Sequence, residues 1–301
     1  MQTSYALSLL IAAGLMAPAQ AQVFKLTREQ MVKYTARNPF DRFPDGRPKV
    51  PDALLERVKG LSLEEAWGIL MNKGYKHQFA GWDFQVLHPG QKLVGRAYTA
   101  QYLPMRPDLD EVLQADAKAA GFPLSQNQKI IDFLQAKDVP VIDLMGAFPG
   151  HNFGGSNLQA AVFGLTHAGA VIDGTIRDLD GIRELPTQVY FKKSHPAAVT
   201  EVTVVGTNIP VKVGEAVVLP GDVVLGDSEG VIFIPPHLVQ EICDKADLVH
   251  FHDDWTIQKF LTGKYKASEL YGGPGLTPEL QKEYDAYIKK RMEELKNGTK
   301  K

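Results

Sequence analysis

The chain has 301 residues, 44% hydrophobic and 23% charged, which suits one main globular core with extensions rather than a disordered or fibrous polymer. A formal net charge of -2 and a pI near 6.5 offer no broad attraction to nucleic acid or to an anionic membrane surface, so both are set aside as partners. The single cysteine, Cys243, rules out an intramolecular disulfide and leaves stability to the core.

Residues 1–21 carry an apolar run from Ala6 to Ala17, then Pro18 and the small-x-small ending Ala19-Gln20-Ala21. This pattern predicts a signal peptide cleaved before Gln22, and hence a periplasmic or secreted chain. The alternative is a retained N-terminal helix, because no Lys or Arg precedes the run. The run is shorter than the ~20 residues that span a bilayer, and no later stretch is long and apolar enough to do so. Residues 22–61 are rich in Pro, Arg and Asp, with turn signals at Asn38-Pro39 and Pro44-Asp45-Gly46, and are expected to form an irregular arm with short helices.

At Ser62 a hydroxyl followed three positions later by Glu65 predicts a capped helix through about Lys73. Alternation from Lys92 to Leu103 predicts a strand, and helices are expected over 108–120 and 126–136. Val139–Met145 is a nearly continuous apolar run, as in a strand covered on both faces. A glycine-rich loop follows at 150–156, then helical spacing of Leu158, Ala161, Val162, Leu165 and Ala168, then a second buried strand at 170–174. That order describes a βαβ unit whose first loop meets a helix N-terminus. Beyond Arg183 short strands at 188–192, 199–205, 209–213, 216–219, 223–225 and 231–234 suggest antiparallel hairpins or a compact barrel-like sheet. Helices are expected at 238–249 and 255–261, and a last one starts at Thr277-Pro278.

Two segments can carry chemistry. Glycines before a helix let a ligand approach unpaired N–H groups at the positive end of the helix dipole, which favours a carboxylate or phosphate. The alternative is a tight turn in which Ser156 or Asn157 simply caps the helix. Asp173-Gly-Thr-Ile-Arg177-Asp178 lies where a buried strand runs out, a favoured place for ligands in α/β proteins. There Arg177 can grip a carboxylate or enolate through paired hydrogen bonds, and Asp178 can hold a hard divalent cation. Cys243 shares a helical spacing with Leu238 and Ile242 and reads as a buried thiol. His151 reads as a structural hydrogen bonder or a general acid or base. The histidines at 195, 250 and 252 have no metal-ligand spacing.

Gly155-Ser-Asn-Leu158, Ala168 to Asp180, Pro210 to Gly214 and Pro220 to Pro235 together resemble, in order, the hallmarks of the RraA-like family, which holds 4-hydroxy-4-methyl-2-oxoglutarate aldolases and regulators of ribonuclease activity. The resemblance implies an α/β fold, a three-layer β/β/α sandwich of the swivelling-domain type, over residues 62–262, with the arm before it and a C-terminal helical extension at 263–301. It implies that Gly155, Ser156, Asn157 and Leu158 bind the carboxylate of a 2-oxo acid, that Arg177 contacts substrate, and that Asp178 holds Mg2+ or Mn2+, partly through water. A homotrimer or hexamer with sites between subunits is implied as well. The implied reaction is that of a metal-dependent aldolase or oxaloacetate decarboxylase releasing pyruvate from a small 2-oxo acid. A lyase or isomerase of sugar acids on the same scaffold, or a binding or regulatory protein without catalysis, are the alternatives. Two positions depart from the aldolase pattern: Ser156 and Gly181 stand where acidic residues are frequent. For the Glu that a neighbouring subunit supplies, only Asp253 or Asp254 corresponds, and loosely. No glycine-rich cofactor fingerprint supports a methyltransferase.

Overall fold

The computed structural model describes residues 24–119, 121–123, 126–271 and 275–298. The expected signal peptide lies outside them. In chain order the elements are α1 (Arg28–Tyr34), α2 (Asp52–Lys59), α3 (Leu63–Asn72), β1 (Phe79–Ala80), β2 (Gln85–Val86), β3 (Leu93–Pro104), α4 (Pro107–Ala119), α5 (Gln128–Ile131), β4 (Asp138–Asp143), α6 (Ser156–Thr166), β5 (Ala170–Ile176), α7 (Leu179–Arg183), β6 (Val189–Ser194), β7 (Val202–Thr207), β8 (Val211–Val213), β9 (Ala216–Val218), β10 (Val223–Asp227), β11 (Gly230–Ile234), α8 (Pro236–Phe260), α9 (Ala267–Leu270) and α10 (Pro278–Gly298).

Strands β3, β4, β5 and β6 run parallel at the centre of a mixed sheet ordered β1-β11-β10-β3-β4-β5-β6-β2. The long β3 pairs antiparallel with β10 through its first residues and with β7 through its last. Alternating side chains give the sheet two covered faces. On β10 and β11, Val223, Leu225, Ile232 and Ile234 pack with α2, α3 and α8, whereas Val224, Val231 and Phe233 face the β8–β9 hairpin. On β4 and β5, Ile142 and Ile172 join a core with Val162 of α6, while Val139, Val141 and Val171 turn to the hairpin side. The result is three layers: helices, large sheet and small sheet.

The predicted βαβ unit is present as β4-α6-β5, with Val141 opposite Val171 in parallel register. The capping box is also present: Glu65 N donates to Ser62 Oγ at 3.3 Å and Ser62 N to Glu65 Oε2 at 2.8 Å. Three expectations are corrected. The helix predicted over 126–136 is a single turn, α5, because the chain must reverse into β4: Lys137 adopts φ +65° and Gln135 N donates to Asp138 Oδ2 at 2.9 Å. Of the two arrangements expected for the β-rich second half, antiparallel hairpins are present as β8–β9 and β10–β11 but the barrel-like sheet is not: β6 completes the parallel centre, β7, β10 and β11 extend the large sheet, and only β8 and β9 stand apart. The helices expected at 238–249 and 255–261 are one continuous helix of 25 residues, because Phe251, Trp255 and Thr256 bury a face between them.

The arm is tied down rather than loose. Arg47, 1% exposed, meets the buried Asp138 at the start of β4 with contacts of 2.7 and 3.0 Å. Its guanidinium lies over Phe43, 4.4 Å from the ring centre, and Asn208 Nδ2 donates to Asp45 Oδ2 at 3.1 Å. Phe24 bridges Gly206 at the edge of β7.

Candidate functional site

The glycine-rich loop between β4 and α6 is stitched alongside the end of β5. Thr175 N donates to His151 O (2.9 Å), Phe153 N to Thr175 O (3.1 Å) and Arg177 N to Gly154 O (3.3 Å). This short parallel ladder brings residues 155–158 beside Arg177 and Asp178, as the sequence pattern implies. Asn152 Oδ1 accepts from Gly154 N at 2.6 Å and fixes the turn, in which Gly154 takes φ +136°. The loop is also anchored from below: Tyr102 Oη donates to Asn127 Oδ1 at 2.9 Å, and Asn127 Nδ2 donates to Phe153 O at 3.0 Å, all in the interior. Asn127, Tyr102 and Thr175 are positioning residues that the sequence did not single out. Their role depends on contacts between distant segments, which no local motif announces.

Gly155 is the N-cap of α6, and no side chain caps this helix. Neither Ser156 nor Asn157 plays the capping role that a purely structural turn requires. The first-turn N–H groups of Ser156, Asn157 and Leu158 therefore have no acceptor among the described residues, the condition in which a helix start receives an anion. Asn157 is exposed, while Ser156 and Leu158 are half-buried.

Gly155 serves a second purpose. A Cβ placed on it would lie 2.0 Å from Asp178 Oδ2 and 3.1 Å from Arg177 Cγ. The Asp178 carboxylate thus rests in a cradle that exists only because residue 155 has no side chain. Asp178 itself has φ +56°, an unusual backbone for a residue other than glycine, and turns an exposed carboxylate toward the loop. Arg177 is half-buried beside it. Three free amides, a guanidinium and an exposed carboxylate converge at one place beyond the carboxyl ends of parallel strands.

The remaining candidates fall elsewhere. Asp173, in the same motif, turns to the opposite face of the sheet, where Oδ2 accepts from Gly214 N at 2.8 Å and Oδ1 lies 3.7 Å from Lys192 Nζ, pinning the β8–β9 hairpin. His151 Nδ1 meets Leu144 O at 3.0 Å and its ring leans on Phe148, which is the structural of its two readings. His250 Nε2 pairs with Glu65 Oε1 at 2.7 Å, and Asp254 lies 3.7 Å from Arg291 on α10. Cys243 is buried, and burial pushes its thiol up to about 11, so it carries no thiolate chemistry at neutral pH. Among the described residues no cluster of three or more His, Cys, Asp or Glu side chains could hold a metal. Asp178 is the oxygen donor that the cradle presents.

Comparison with known proteins shows the family of the chain. A Legionella pneumophila protein, DlpA, is 26% identical over 178 residues, covering 56% of this chain and 25% of DlpA. A Halalkalibacterium halodurans protein named "Putative 4-hydroxy-4-methyl-2-oxoglutarate aldolase" is 32% identical over 79 residues, covering 26% of this chain and 38% of that one. The chain therefore spans well under half the length of these two relatives. Among solved structures, Streptomyces coelicolor RraAS2, described as an unusual member of the RNase ES inhibitor RraA protein family, matches with a TM-score of 0.57 and 26% identity over 75% of this chain and 100% of that one. The family model described as RraA-like, Aldolase/RraA, matches residues 49–233, more than half of the chain and inclusive of the glycine loop, Arg177 and Asp178, and on that match the chain belongs to the RraA-like family.

Proposed function

We propose that this chain is a divalent-metal-dependent aldolase or decarboxylase that cleaves a small 2-oxo acid, of the 4-hydroxy-4-methyl-2-oxoglutarate or oxaloacetate kind, to pyruvate. The observation that carries this reading is the convergence of the free amides of Ser156, Asn157 and Leu158 with Arg177 and Asp178 around the space left by Gly155. The amides and the α6 dipole bind the substrate carboxylate. Arg177 reaches the 2-oxo oxygen and stabilises the charge that gathers there as the C–C bond breaks. Asp178 offers the single exposed carboxylate that suits Mg2+ or Mn2+, ions that accept few protein oxygens and retain water. When bound, such an ion supplies a Lewis acid for the 2-oxo group.

The reading extends to a homotrimer or hexamer exported to the periplasm or medium. Exposed Leu248 and Ile257 on α8, with Leu261 just past its end, offer apolar surface for a second copy. Sedimentation of the mature chain is expected to give a trimer or a multiple of it; a monomer at micromolar concentration contradicts that part.

The central test couples pyruvate release to lactate dehydrogenase, with oxaloacetate and 4-hydroxy-2-oxo acids as substrates, in Mg2+ and in excess chelator. Asp178→Asn is the control, because Asn tolerates the same left-handed backbone. Expected are Mg2+-dependent release and a loss of at least ~100-fold in the variant. Release no faster in the native chain than in Asp178→Asn ends the aldolase reading. A lyase or isomerase of sugar acids is the second reading, favoured by one contact: a Cβ on Gly181 would lie 3.2 Å from Ser156 Cβ, so both positions without acid adjoin and leave a neutral patch where polyol hydroxyls can bind. Turnover of aldonic acids but not 2-oxo acids selects it.

A further inference from the structure

A cleft of about 470 Å³ lies between the C-terminal end of α1 and the ends of β9 and β11, and shares no residue with the glycine-loop site. Its size is that of a small-molecule pocket. One wall, from Lys33 to Asn38, belongs to the N-terminal arm, ahead of the family match at residues 49–233. That wall is held in place: Arg42 donates to Thr35 Oγ1 at 2.7 Å, to Thr35 O at 2.8 Å and to Gly46 O at 2.7 Å.

Three features of the cleft point to a ligand. Asp222, 4% exposed, lines its floor. Its Oδ2 accepts from Leu219 N at 2.9 Å, whereas Oδ1 has no partner among the described residues. The residue is buried but Oδ1 itself is not sealed off, so it opens to the cleft, where a donor from outside can reach it. The second feature is the start of α8, whose residues Pro235, Pro236 and His237 form part of the lining. This 25-residue helix has no side-chain cap, so its positive end opens into the cleft. The third is a pair of exposed arm cations, Lys33 and Arg37, at the mouth. Between floor and mouth the walls are flat and mostly apolar, with Tyr34, Tyr75, Leu219 and the two prolines. Tyr75 Oη and His237 Nε2 meet at 3.2 Å and satisfy each other.

We propose that this cleft binds a small carboxylic acid with a flat apolar body and a hydroxyl remote from its carboxylate. The hydroxyl shares a hydrogen bond with Asp222 Oδ1, donating to the ionised carboxylate and accepting from the protonated acid; the carboxylate lies toward Lys33, Arg37 and the start of α8; the body stacks between tyrosine and proline surfaces. Burial supports the hydroxyl end, since it pushes the Asp222 carboxyl up to about 7 and so lessens the cost of holding it against a neutral group. His237 is held below its usual value first by burial and then by Arg37 and Lys73.

The test is calorimetry on the mature full-length chain with 4-hydroxyphenylacetate as the probe. Phenylacetate lacks the hydroxyl, and 4-hydroxyphenylethanol lacks the carboxylate. The probe is expected to bind with a Kd at or below about 1 mM, and each control at least ~10-fold more weakly. Lys33→Ala with Arg37→Ala, both exposed, is expected to weaken the probe ~10-fold. Ala36→Trp, which fills the cleft from the exposed arm, is expected to abolish binding. Both variants should keep the native melting temperature and native pyruvate release, which separates this site from the glycine-loop reading. Absence of saturable binding, equal binding of phenylacetate, persistence in Ala36→Trp, or displacement by pyruvate each overturns the proposal.

Discussion

Gly155 and Asp178 occupy space sufficient for only one side chain between them. With a Cβ at residue 155 placed 2.0 Å from Asp178 Oδ2, Gly155→Ala must push the carboxylate out of its cradle or shift the loop that holds the amides. Displacement near 1 Å at a reacting centre costs on the order of 100-fold in rate. We therefore expect kcat/KM for pyruvate release to fall by about that factor in Gly155→Ala and Mn2+ binding, followed by electron paramagnetic resonance, to weaken in parallel. The melting temperature should move little, because Asp178 is exposed and contributes no core contact. Unchanged kinetics and Mn2+ binding would show that the cradle has no function. Both halves of the candidate site were legible in the residues, as a glycine loop before a helix and an Arg-Asp pair after a strand, residue types that suit an anion and a cation. The contact between them was not legible, because it arises where β5 and the β4–α6 loop align side by side. The same holds for Ser156 and Gly181, 25 positions apart in the chain, whose adjacency makes two departures from the aldolase pattern one local change. A single acid at either position fills the same patch.

Among the elements, the arm shows how far a polar segment can be built into a fold. Arg47 and Asp138 are 1% and 0% exposed and paired through both carboxylate oxygens. Removing one member of such a pair strands the other charge in the interior, at a cost of about 3–5 kcal/mol. Arg47→Met should lower the urea midpoint correspondingly and expose the arm to limited proteolysis, while Arg47→Met with Asp138→Leu should recover most of the loss. If the single variant unfolds like the native chain, the pair does not secure the arm. Composition alone suggested an irregular arm, since Pro, Arg and Asp mark turns; the partner of Arg47, 91 positions away, is invisible to any local pattern. Elements with local signals were legible, as at Ser62 and Glu65, whose reciprocal bonds are written into adjacent residues. Those set by tertiary contact were not. Polar His252, Asp253 and Asp254 interrupt the apolar pattern of α8, yet the helix continues because Trp255 packs against Tyr284 of α10 with ring centres 5.2 Å apart.

Across the whole molecule, the layers bury carboxyls whose ionisation links stability to pH, and Asp222 is raised furthest among the described residues. Asp222 follows Pro220-Gly221 at the start of β10, where its backbone joins Ala97 on β3 and Leu219. Burial, only partly offset by the bond from Leu219 N, pushes it from 3.8 up to about 7. Below the unfolded value the carboxyl is neutral in both states and costs nothing. As pH rises toward 7 the unfolded chain ionises freely while the folded chain holds its proton, so stability falls over that window and levels off above it. The shift sets an upper bound of about 4 kcal/mol on the difference. Asp222→Asn keeps an oxygen for Leu219 N and has no charge at any pH. Relative to the native chain it should gain stability steadily between pH 4 and pH 7 and no further by pH 8, a difference read from urea midpoints at pH 4.5, 6 and 8. A native-to-variant difference that does not change with pH would mean that Asp222 ionises as easily in the fold as in the open chain, and that water reaches the floor of the arm cleft.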